Sequence, residues 1–323
     1  MDPLTLIPVT AIEEAADRIA DSAIKTPLLP LKLPDSPCEI WIKAECLQPI
    51  GSFKIRGAAN AMALANRNDL EQGVYTASAG NMAQGIAFNA RRFGIPCRVI
   101  VPDTAPQNKL RSIERLGATA VPVPFDEWWS VICNHGHPSE KGFFIHPVCD
   151  PAVIAGNGTV GLEILSELPD VDSVIVPYGG GGLSCGISSA LKALRPSIQV
   201  FAAEVETASP FAASLTAGEA VEVERTPTFI DGIGGKSILP EMWPLASSLL
   251  DGSIVVSVKQ VCDAIQTMVS EVHLVAEGAG GVSLAAALTG LAGNGKTVAV
   301  ISGGNLNPDA LKTILEGNIP PSP

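Results

Sequence analysis

The chain has 323 residues, of which 46% are hydrophobic, 17% charged and 5% aromatic. This composition is typical of a well-packed globular protein with two modest domains or one large α/β unit, and it excludes a disordered chain. The formal net charge of −12 opposes a phosphate backbone, so we expect no nucleic-acid partner. The most apolar stretches are interrupted by Gly and Ser, which predicts no membrane span.

The cysteines and the N-terminal sequence bear on the compartment. The seven cysteines are scattered and form no closely spaced pair, as expected of unpaired thiols in a reducing compartment. The first residues, MDPLTLIPVTAIEEAADRIA, carry acids where a signal peptide needs a basic start. We therefore predict a cytoplasmic protein.

From residue 40 onward, short β-branched runs alternate with segments of helical period, which predicts βαβ units and a mostly parallel sheet. The clearest block predicts a strand at 74–77, a helix at 81–93 closed by Gly94, a strand at 98–101, a helix at 106–116 closed by Gly117, and a strand at 119–123. A second block predicts a strand at 173–177, a glycine loop, a helix at 183–194 and a strand at 199–203.

Residues 125–150 separate these two blocks and show no clean periodicity, so we expect a functional loop or a domain crossover there. Trp128 and Trp129 lie in this segment. Two adjacent indoles are costly to expose, which predicts that they pack against the domain cleft or a partner subunit. The predicted fold is therefore two three-layer α/β domains with open, mostly parallel twisted sheets and a functional cleft between them. The predicted small mobile domain spans residues 73–149, and the large domain spans residues 1–72 plus 150–323.

Lys54 is the first candidate for chemistry. It lies in GSFKIRGAANAM at the start of an Ala-rich helical run, with Ser52 placed to act as the N-cap. A lysine at a helix N-terminus faces the positive end of the helix dipole, which favours the neutral amine that a covalent carrier requires. Beside Arg56, however, the same lysine also fits an ordinary solvated surface residue.

A glycine loop is the second candidate. Four glycines between a strand and a helix allow backbone N–H groups to converge on a phosphate at the helix N-terminus: Gly179, Gly180, Gly181 and Gly182. The phosphate could belong to a dinucleotide, because Glu204 ends the next strand as a ribose-binding acid would. The dinucleotide pattern fails, however, since Cys185 stands at its third glycine position. A nicotinamide-dependent dehydrogenase remains an alternative.

SGGN is the third candidate, with Ser302 directly after the strand-like TVAVI. Ligands collect at the carboxyl ends of parallel strands, so we expect Ser302, Gly179 and residues 78–81 to meet in one crevice. The four histidines lack the spacing of a zinc site on a helix, and we expect no metal at His135, His137, His146 or His273.

In this order and spacing, SFKIRGA, TASAGNMAQGIAF, GGGG and SGGN resemble the serine/threonine dehydratase and serine racemase family of pyridoxal-phosphate enzymes, of fold type II (tryptophan synthase β-like). The resemblance covers residues 11–305. It implies pyridoxal 5'-phosphate in the cleft, with Lys54 as its covalent carrier and as the catalytic base. It also implies that Phe53 packs by the ring, that Asn81 bonds the ring hydroxyl, and that Ser302 bonds the pyridine nitrogen. The resemblance also implies that the phosphate is bound by Gly179, Gly180, Gly181, Gly182 and Leu183. It implies that the substrate carboxylate is bound by Ser78, Ala79, Gly80, Asn81 and Met82.

The chain departs from the family pattern at two places. Met82 stands where the loop usually carries His. A divalent-cation site is matched by Glu204 and by the carbonyl of Ala208, but Pro210 stands where a carboxylate is expected, so a divalent cation is left open.

The resemblance implies a homodimeric ammonia-lyase that converts a serine- or threonine-type β-hydroxy amino acid to a 2-oxo acid. One alternative is a bulkier substrate, either phenylserine, admitted by Met82 with Trp128 and Trp129, or 3-hydroxyaspartate. Others are an amino-acid racemase, a β-replacement enzyme, or a non-catalytic ligand-binding protein. Racemases of this kind use a serine where the chain has Ala79, and a methyl group transfers no proton. We therefore expect negligible racemisation.

Overall fold

A computed structural model describes residues 2–322, and its two β-sheets flanked by helices confirm the α/β class. The first half contains α1 (Val9–Ile19), β1 (Leu28–Leu31), β2 (Glu39–Lys43), a 3-10 helix (Glu45–Leu47), α2 (Lys54–Leu64), α3 (Arg67–Leu70), β3 (Val74–Ala77), α4 (Asn81–Phe93), β4 (Cys97–Pro102), α5 (Gln107–Arg115), β5 (Thr119–Val123), α6 (Phe125–Cys133), β6 (Phe143–Phe144) and α7 (Pro151–Glu167). The second half contains β7 (Ser173–Pro177), α8 (Gly182–Leu194), β8 (Gln199–Val205), α9 (Pro210–Ala217), α10 (Trp243–Leu249), β9 (Gly252–Val256), α11 (Val258–Thr267), a π-helix (Met268–Val272), α12 (Gly278–Ala287), β10 (Lys296–Val300) and α13 (Pro308–Leu315).

The strands form two separate sheets. The larger has the order β1-β2-β10-β7-β8-β9, and all its neighbours are parallel except the antiparallel β1 and β2. The smaller has the order β5-β4-β3-β6 and is parallel. Every residue of β7 is buried, as expected for a central strand covered by helices on both faces. The prediction of mostly parallel sheets is confirmed.

Local sequence signals predict α4 correctly, whereas residues 125–150 contain a helix where the sequence shows no clean periodicity. α4 spans the predicted residues and ends at Gly94, whose φ of 67° allows its N–H to bond the carbonyls of the last turn. The segment contains α6 and β6, so these parts of it are regular structure and not loop. α6 starts after Pro124 with acids in its first turn, and it buries only Val131 and Ile132. Because α6 also carries exposed aromatic residues, its narrow apolar face gives no clean helical period in the sequence.

The smaller sheet is built entirely from β3 to β6, within the segment predicted to be the small domain. Its core reaches beyond that segment, since Ala58 and Met62 of α2 pack in the same cluster as residues of α4. The division at residues 73 and 149 stays a prediction. Within residues 2–322 no helix is long and apolar enough to cross a membrane.

A buried ion network ties α2 to the large sheet. Arg56 is 1% exposed, so the residue beside which Lys54 was compared with a solvated surface lysine is itself buried. Its Nε and Nη2 each donate to the carboxylate of Glu45 at 2.8 Å, and Nη1 donates to Glu163 at 2.6 Å. Lys43 also reaches Glu163, at 2.6 Å. The guanidinium is thus fully paired, as a buried charge must be.

Replacing Arg56 with Leu should lower the free energy of unfolding by about 3–5 kcal/mol, because Glu45 is left as a buried, unpaired carboxylate. Urea denaturation of both proteins measures the difference. The matched control is Lys259→Ala, which breaks an exposed pair with Asp263 and should cost less than about 1 kcal/mol. Equal losses in the two variants would contradict the structural role of Arg56.

Candidate functional site

Lys54 is the first residue of α2, so the backbone places its side chain at a helix N-terminus as the sequence predicts. Phe53, the residue before Lys54, has near-helical dihedral angles of −54° and −22°. Ser52 lies one residue further out, and its hydroxyl accepts only a 3.4 Å bond from the Lys54 N–H. A hydroxyl at an N-cap accepts from the N–H two or three residues ahead, so this long bond is of the kind predicted for Ser52.

The Lys54 amine is held in a defined position. Its Nζ donates to the carbonyl oxygen of Pro147 at 2.8 Å and lies 5.2 Å from the centroid of the Phe53 ring. Burial lowers the pKa of Lys54 to about 8. About a tenth of this amine is therefore neutral at pH 7, far more than for an ordinary lysine, and both nucleophilic attack and proton abstraction require the neutral form.

The glycine loop leaves no room for side chains. A Cβ atom at Gly180 would lie 2.5 Å from the Val148 side chain, and one at Gly182 would lie 2.9 Å from the Val148 carbonyl. Gly181 has a φ of 95° and is the N-cap of α8, and among the described residues no side chain caps this helix. Leu183 follows in the first turn and is buried. The first N–H groups of α8 are thus offered to an anion.

Asn81 begins α4 and is fixed from two sides. Its Nδ2 donates to Glu277 Oε1 at 2.7 Å, and its Oδ1 accepts from Asn305 Nδ2 at 2.8 Å. The amide nitrogen keeps a second hydrogen for another acceptor. A Cβ atom at Gly80 would meet nothing within 4 Å, so the loop before α4 faces open space. The N–H of Gly80 donates to the Ser78 hydroxyl at 3.2 Å, which engages that hydroxyl within the loop.

Hydrogen bonds bring the separate motifs together. The N–H of Phe53 donates to the Ser302 carbonyl at 3.0 Å, and the N–H of Glu277 donates to the Gly303 carbonyl at 3.0 Å. Ser302, the glycine loop and the Ser78 loop follow β10, β7 and β3, so they lie at the carboxyl ends of parallel strands. β3 belongs to the smaller sheet, and the bonds of Asn81 to Glu277 and Asn305 bring its loop beside the SGGN motif of the larger one.

Other predicted residues lie elsewhere. The Met82 side chain is 2% exposed and belongs to the core of the smaller sheet, which leaves its backbone for a ligand. Trp128 packs against the large core, with its indole N–H buried and lacking a hydrogen-bond partner in the described chain, whereas Trp129 is 41% exposed. Glu204 is buried at the end of β8. Its carboxylate accepts hydrogen bonds from protein N–H groups, which leaves it no place on a dinucleotide ribose.

The family model described as "Pyridoxal-phosphate dependent enzyme" matches residues 19–303. The chain belongs to this family. It is 42% identical over 280 residues to an L-threonine ammonia-lyase of Thermotoga maritima, covering 86% of this chain and 70% of that protein. The structure of maize serine racemase matches with a TM-score of 0.89 and 31% identity, covering 95% of this chain and 96% of the other. The processed form of threonine deaminase isoform 2 from Solanum lycopersicum matches with a TM-score of 0.84 and 31% identity, over 95% and 87%.

The residues present fit pyridoxal 5'-phosphate, the cofactor of this family. An aldehyde needs a neutral amine, which Lys54 offers with its lowered pKa. A phosphate needs converging N–H groups without side chains, which the glycine loop and the uncapped α8 offer. The dehydrogenase alternative is overturned by the family match.

Glu277 is a site residue that the motifs missed. It precedes α12 in the sequence VAEGAGG, and an isolated acid before a run of small apolar residues is the signal that could have revealed it. Burial raises the pKa of Glu277 to about 7, against the opposing effect of its hydrogen bond from Asn81. Its carboxyl group fixes the orientation of the Asn81 amide toward the crevice.

A divalent cation does not fit the expected ligand set. The Glu204 oxygens accept from the N–H groups of Phe211 and Ala212, each at 2.8 Å, and from the Ser253 hydroxyl at 2.6 Å. Pro210 offers no carboxylate and is the first residue of α9. The positive end of α9 therefore already faces Glu204, which disfavours a cation there.

We expect magnesium or calcium ions at millimolar concentration to leave the melting temperature and the turnover unchanged. Pro210→Asp should create cation-dependent stabilisation, of about 2.7 kcal/mol at a hundredfold excess over the dissociation constant. Thermal unfolding with and without the ions measures the melting temperatures of both proteins, and an activity assay under the same conditions measures the turnover. Pro210→Asn is the uncharged control. Saturable stabilisation of the unmodified protein would show that this ligand set does accept a cation.

Proposed function

We propose that the chain is a pyridoxal-phosphate-dependent ammonia-lyase that converts a serine- or threonine-type β-hydroxy amino acid to a 2-oxo acid and ammonia. The observation that carries the proposal is the Lys54 amine, which has a pKa of about 8 and lies in the crevice that the four motifs form. The identity of 42% to an L-threonine ammonia-lyase supports the reaction class. Threonine itself is the first substrate to test.

In the proposed arrangement Lys54 carries the cofactor and Phe53 packs beside the ring. Asn81 bonds the ring hydroxyl, Ser302 bonds the pyridine nitrogen, and residues 179–183 hold the phosphate. The bound cofactor supplies the electron sink that makes the Cα proton of an amino acid removable. The hydroxyl of Ser302, unlike a carboxylate, does not hold the pyridine nitrogen protonated, which moderates that sink.

Lys54 is also the proposed base. With the cofactor bound, its free amine would take the Cα proton of the substrate, and burial favours the free amine by lowering the pKa of Lys54 to about 8. Loss of the β-hydroxyl as water and later hydrolysis of the released enamine balance to a 2-oxo acid and ammonia. The N-terminus of α4 and the loop of residues 78–82 bind the substrate carboxylate through backbone N–H groups, supported by the open space at Gly80.

Replacing Lys54 with Ala should lower kcat by at least about 10³-fold, because one amine serves as the carrier and as the base. Product formation from threonine and serine, together with borohydride trapping of the cofactor on the peptide that contains residue 54, measures the two roles. Replacing Lys25, a partly exposed lysine paired with Glu167, is the matched control and should leave both unchanged. Activity within tenfold of the unmodified enzyme would remove Lys54 from the proposal.

The bulkier-substrate alternative has less support than a serine- or threonine-type substrate. Its phenylserine form depends on an apolar pocket lined by Met82, Trp128 and Trp129, and the Met82 side chain is buried in a core. A panel of threonine, serine, phenylserine and 3-hydroxyaspartate, compared by kcat/KM, decides among these substrates.

Ala79 argues for elimination over racemisation. Racemisation needs a proton donor on each face of the planar carbanion, and Lys54 serves one face. Ala79 carries a methyl group, and the adjacent Ser78 hydroxyl accepts a hydrogen bond from the Gly80 N–H. Neighbouring side chains of an extended segment point to opposite sides, so we propose that Ser78 does not replace the donor missing at residue 79.

Ala79→Ser should introduce exchange at the second face, and the unmodified enzyme should form almost no mirror-image serine. Incubation with one serine enantiomer in deuterated water, followed by chiral analysis, measures both rates. Ala83→Ser, in the buried face of α4, is the control for adding a hydroxyl elsewhere. Racemisation by the unmodified enzyme at a rate comparable to 2-oxo acid formation would contradict the assignment.

The domain division, oligomer and compartment are part of the same proposal. We propose that residues 73–149 close over the cleft, which the separate small sheet supports. Two contacts join this segment to the rest: a hydrogen bond between His135 and Glu241 at 3.0 Å, and an exposed ion pair of Lys109 with Asp231 at 2.5 Å that can break at small cost. A cytoplasmic location is supported by the seven free cysteines, and a homodimer by the prevalence of two-fold symmetry among enzymes.

A further inference from the structure

His146 is a buried histidine whose two ring nitrogens are both used inside the protein. Its Nδ1 accepts from the N–H groups of Val148 at 3.0 Å and Cys149 at 2.8 Å, and its Nε2–H donates to the Ile132 carbonyl at 3.2 Å. The ring is 2% exposed and lies 4.2 Å from the ring of His135. These bonds fix one neutral tautomer, because a proton on Nδ1 would face two N–H donors.

The same bonds exclude a metal centre at this place. One ligand atom each from His135, His146 and Glu241 lies within 4.8 Å of the others, a grouping that could hold an ion. His146 has no free lone pair for it, however, since Nδ1 accepts two backbone hydrogens and Nε2 carries its own. The role of His146 must therefore lie in the backbone that it folds.

That backbone turn touches the two halves of the cofactor site. Within it, the Pro147 carbonyl accepts from Lys54 Nζ at 2.8 Å. The next residue, Val148, lies against the glycine loop of residues 179–182, which is the proposed phosphate loop. A Cβ atom at Gly180 would be 2.5 Å from the Val148 side chain. One turn of residues 146–149 thus contacts both the amine and the loop.

We propose that His146 is a positioning residue, whose Nδ1 folds the 146–149 turn and thereby sets the spacing between the Lys54 amine and the phosphate loop. The proposal rests on the proposed function, since it concerns the same site. Misplacing a reacting group by about 1 Å can cost about 10²-fold in rate, so a single turn can matter this much.

Two variants of His146 separate its two contacts. In His146→Asn the side-chain oxygen is attached to Cγ, as Nδ1 is, so it can accept from the N–H groups two and three residues ahead, while the bond to Ile132 is lost. In His146→Gln the amide nitrogen can reach the Ile132 carbonyl, but no acceptor is attached to Cγ. We expect His146→Asn to retain most of the function and His146→Gln to lose about 10–100-fold in kcat.

Three measurements distinguish positioning from mere stability. They are the dissociation constant for pyridoxal 5'-phosphate, the pH midpoint of the bound cofactor's visible absorbance, and kcat and KM for threonine at full cofactor loading. We expect His146→Gln to bind the cofactor more weakly, to shift the midpoint and to lower kcat with little change in KM. His146→Asn should stay close to the unmodified enzyme in all three.

Equal behaviour of the two variants, whether both intact or both impaired, would overturn the proposal, as would greater impairment in His146→Asn. If His146→Gln fails to fold, Val148→Ala decides: it leaves the histidine bonds in place and should weaken cofactor binding, and unchanged affinity would overturn the proposal. An unmodified protein that releases no 2-oxo acid from any amino acid would refute the proposed function alone. Cofactor affinity and absorbance would still test His146.

Discussion

The burial of the Arg56 guanidinium is the constraint on which the site depends. Removing this charge from water costs several kcal/mol unless it is fully paired, so Glu45 and Glu163 must both reach it. Glu45 follows β2 of the large sheet, and Glu163 lies on α7. These pairs fix the first turn of α2 in rotation and in height. Because Lys54 begins that turn, the amine that would bond the cofactor is placed by a charge two residues away.

Three helix N-termini contribute positive potential to the site. α2, α4 and α8 begin at Lys54, Asn81 and Gly182, close to the carboxyl ends of the sheet strands. Their exposed N–H groups favour anions and disfavour a charged lysine, so the same field suits a phosphate, a carboxylate and a neutral amine. A chain with a net charge of −12 can thus attract an anionic cofactor without a cluster of Lys and Arg.

Sequence patterns predicted those helices and strands whose formation depends on neighbouring residues. The helix at 81–93 was predicted from its helical period and from Gly94 after its end, and the strand at 173–177 from its short β-branched run. The partners of Asn81 and Lys54 could not be predicted in this way, since Glu277 and Pro147 lie 196 and 93 residues away along the chain. Arg56 and His146 look like ordinary polar residues until the tertiary structure buries them. Long-range pairing of single side chains leaves no periodic signal.

Pro210 determines whether a cation or the N–H groups of a helix can compensate the charge of Glu204. A carboxylate at this position could help bind a cation beside the buried Glu204. Proline removes that carboxylate, and its fixed φ also suits the first position of a helix. α9 starts there, and its next two N–H groups point at Glu204. The charge of Glu204 is then balanced by backbone dipoles, which neither dissociate nor depend on the ion concentration. We therefore expect the stability of this part of the fold to be independent of the ion concentration.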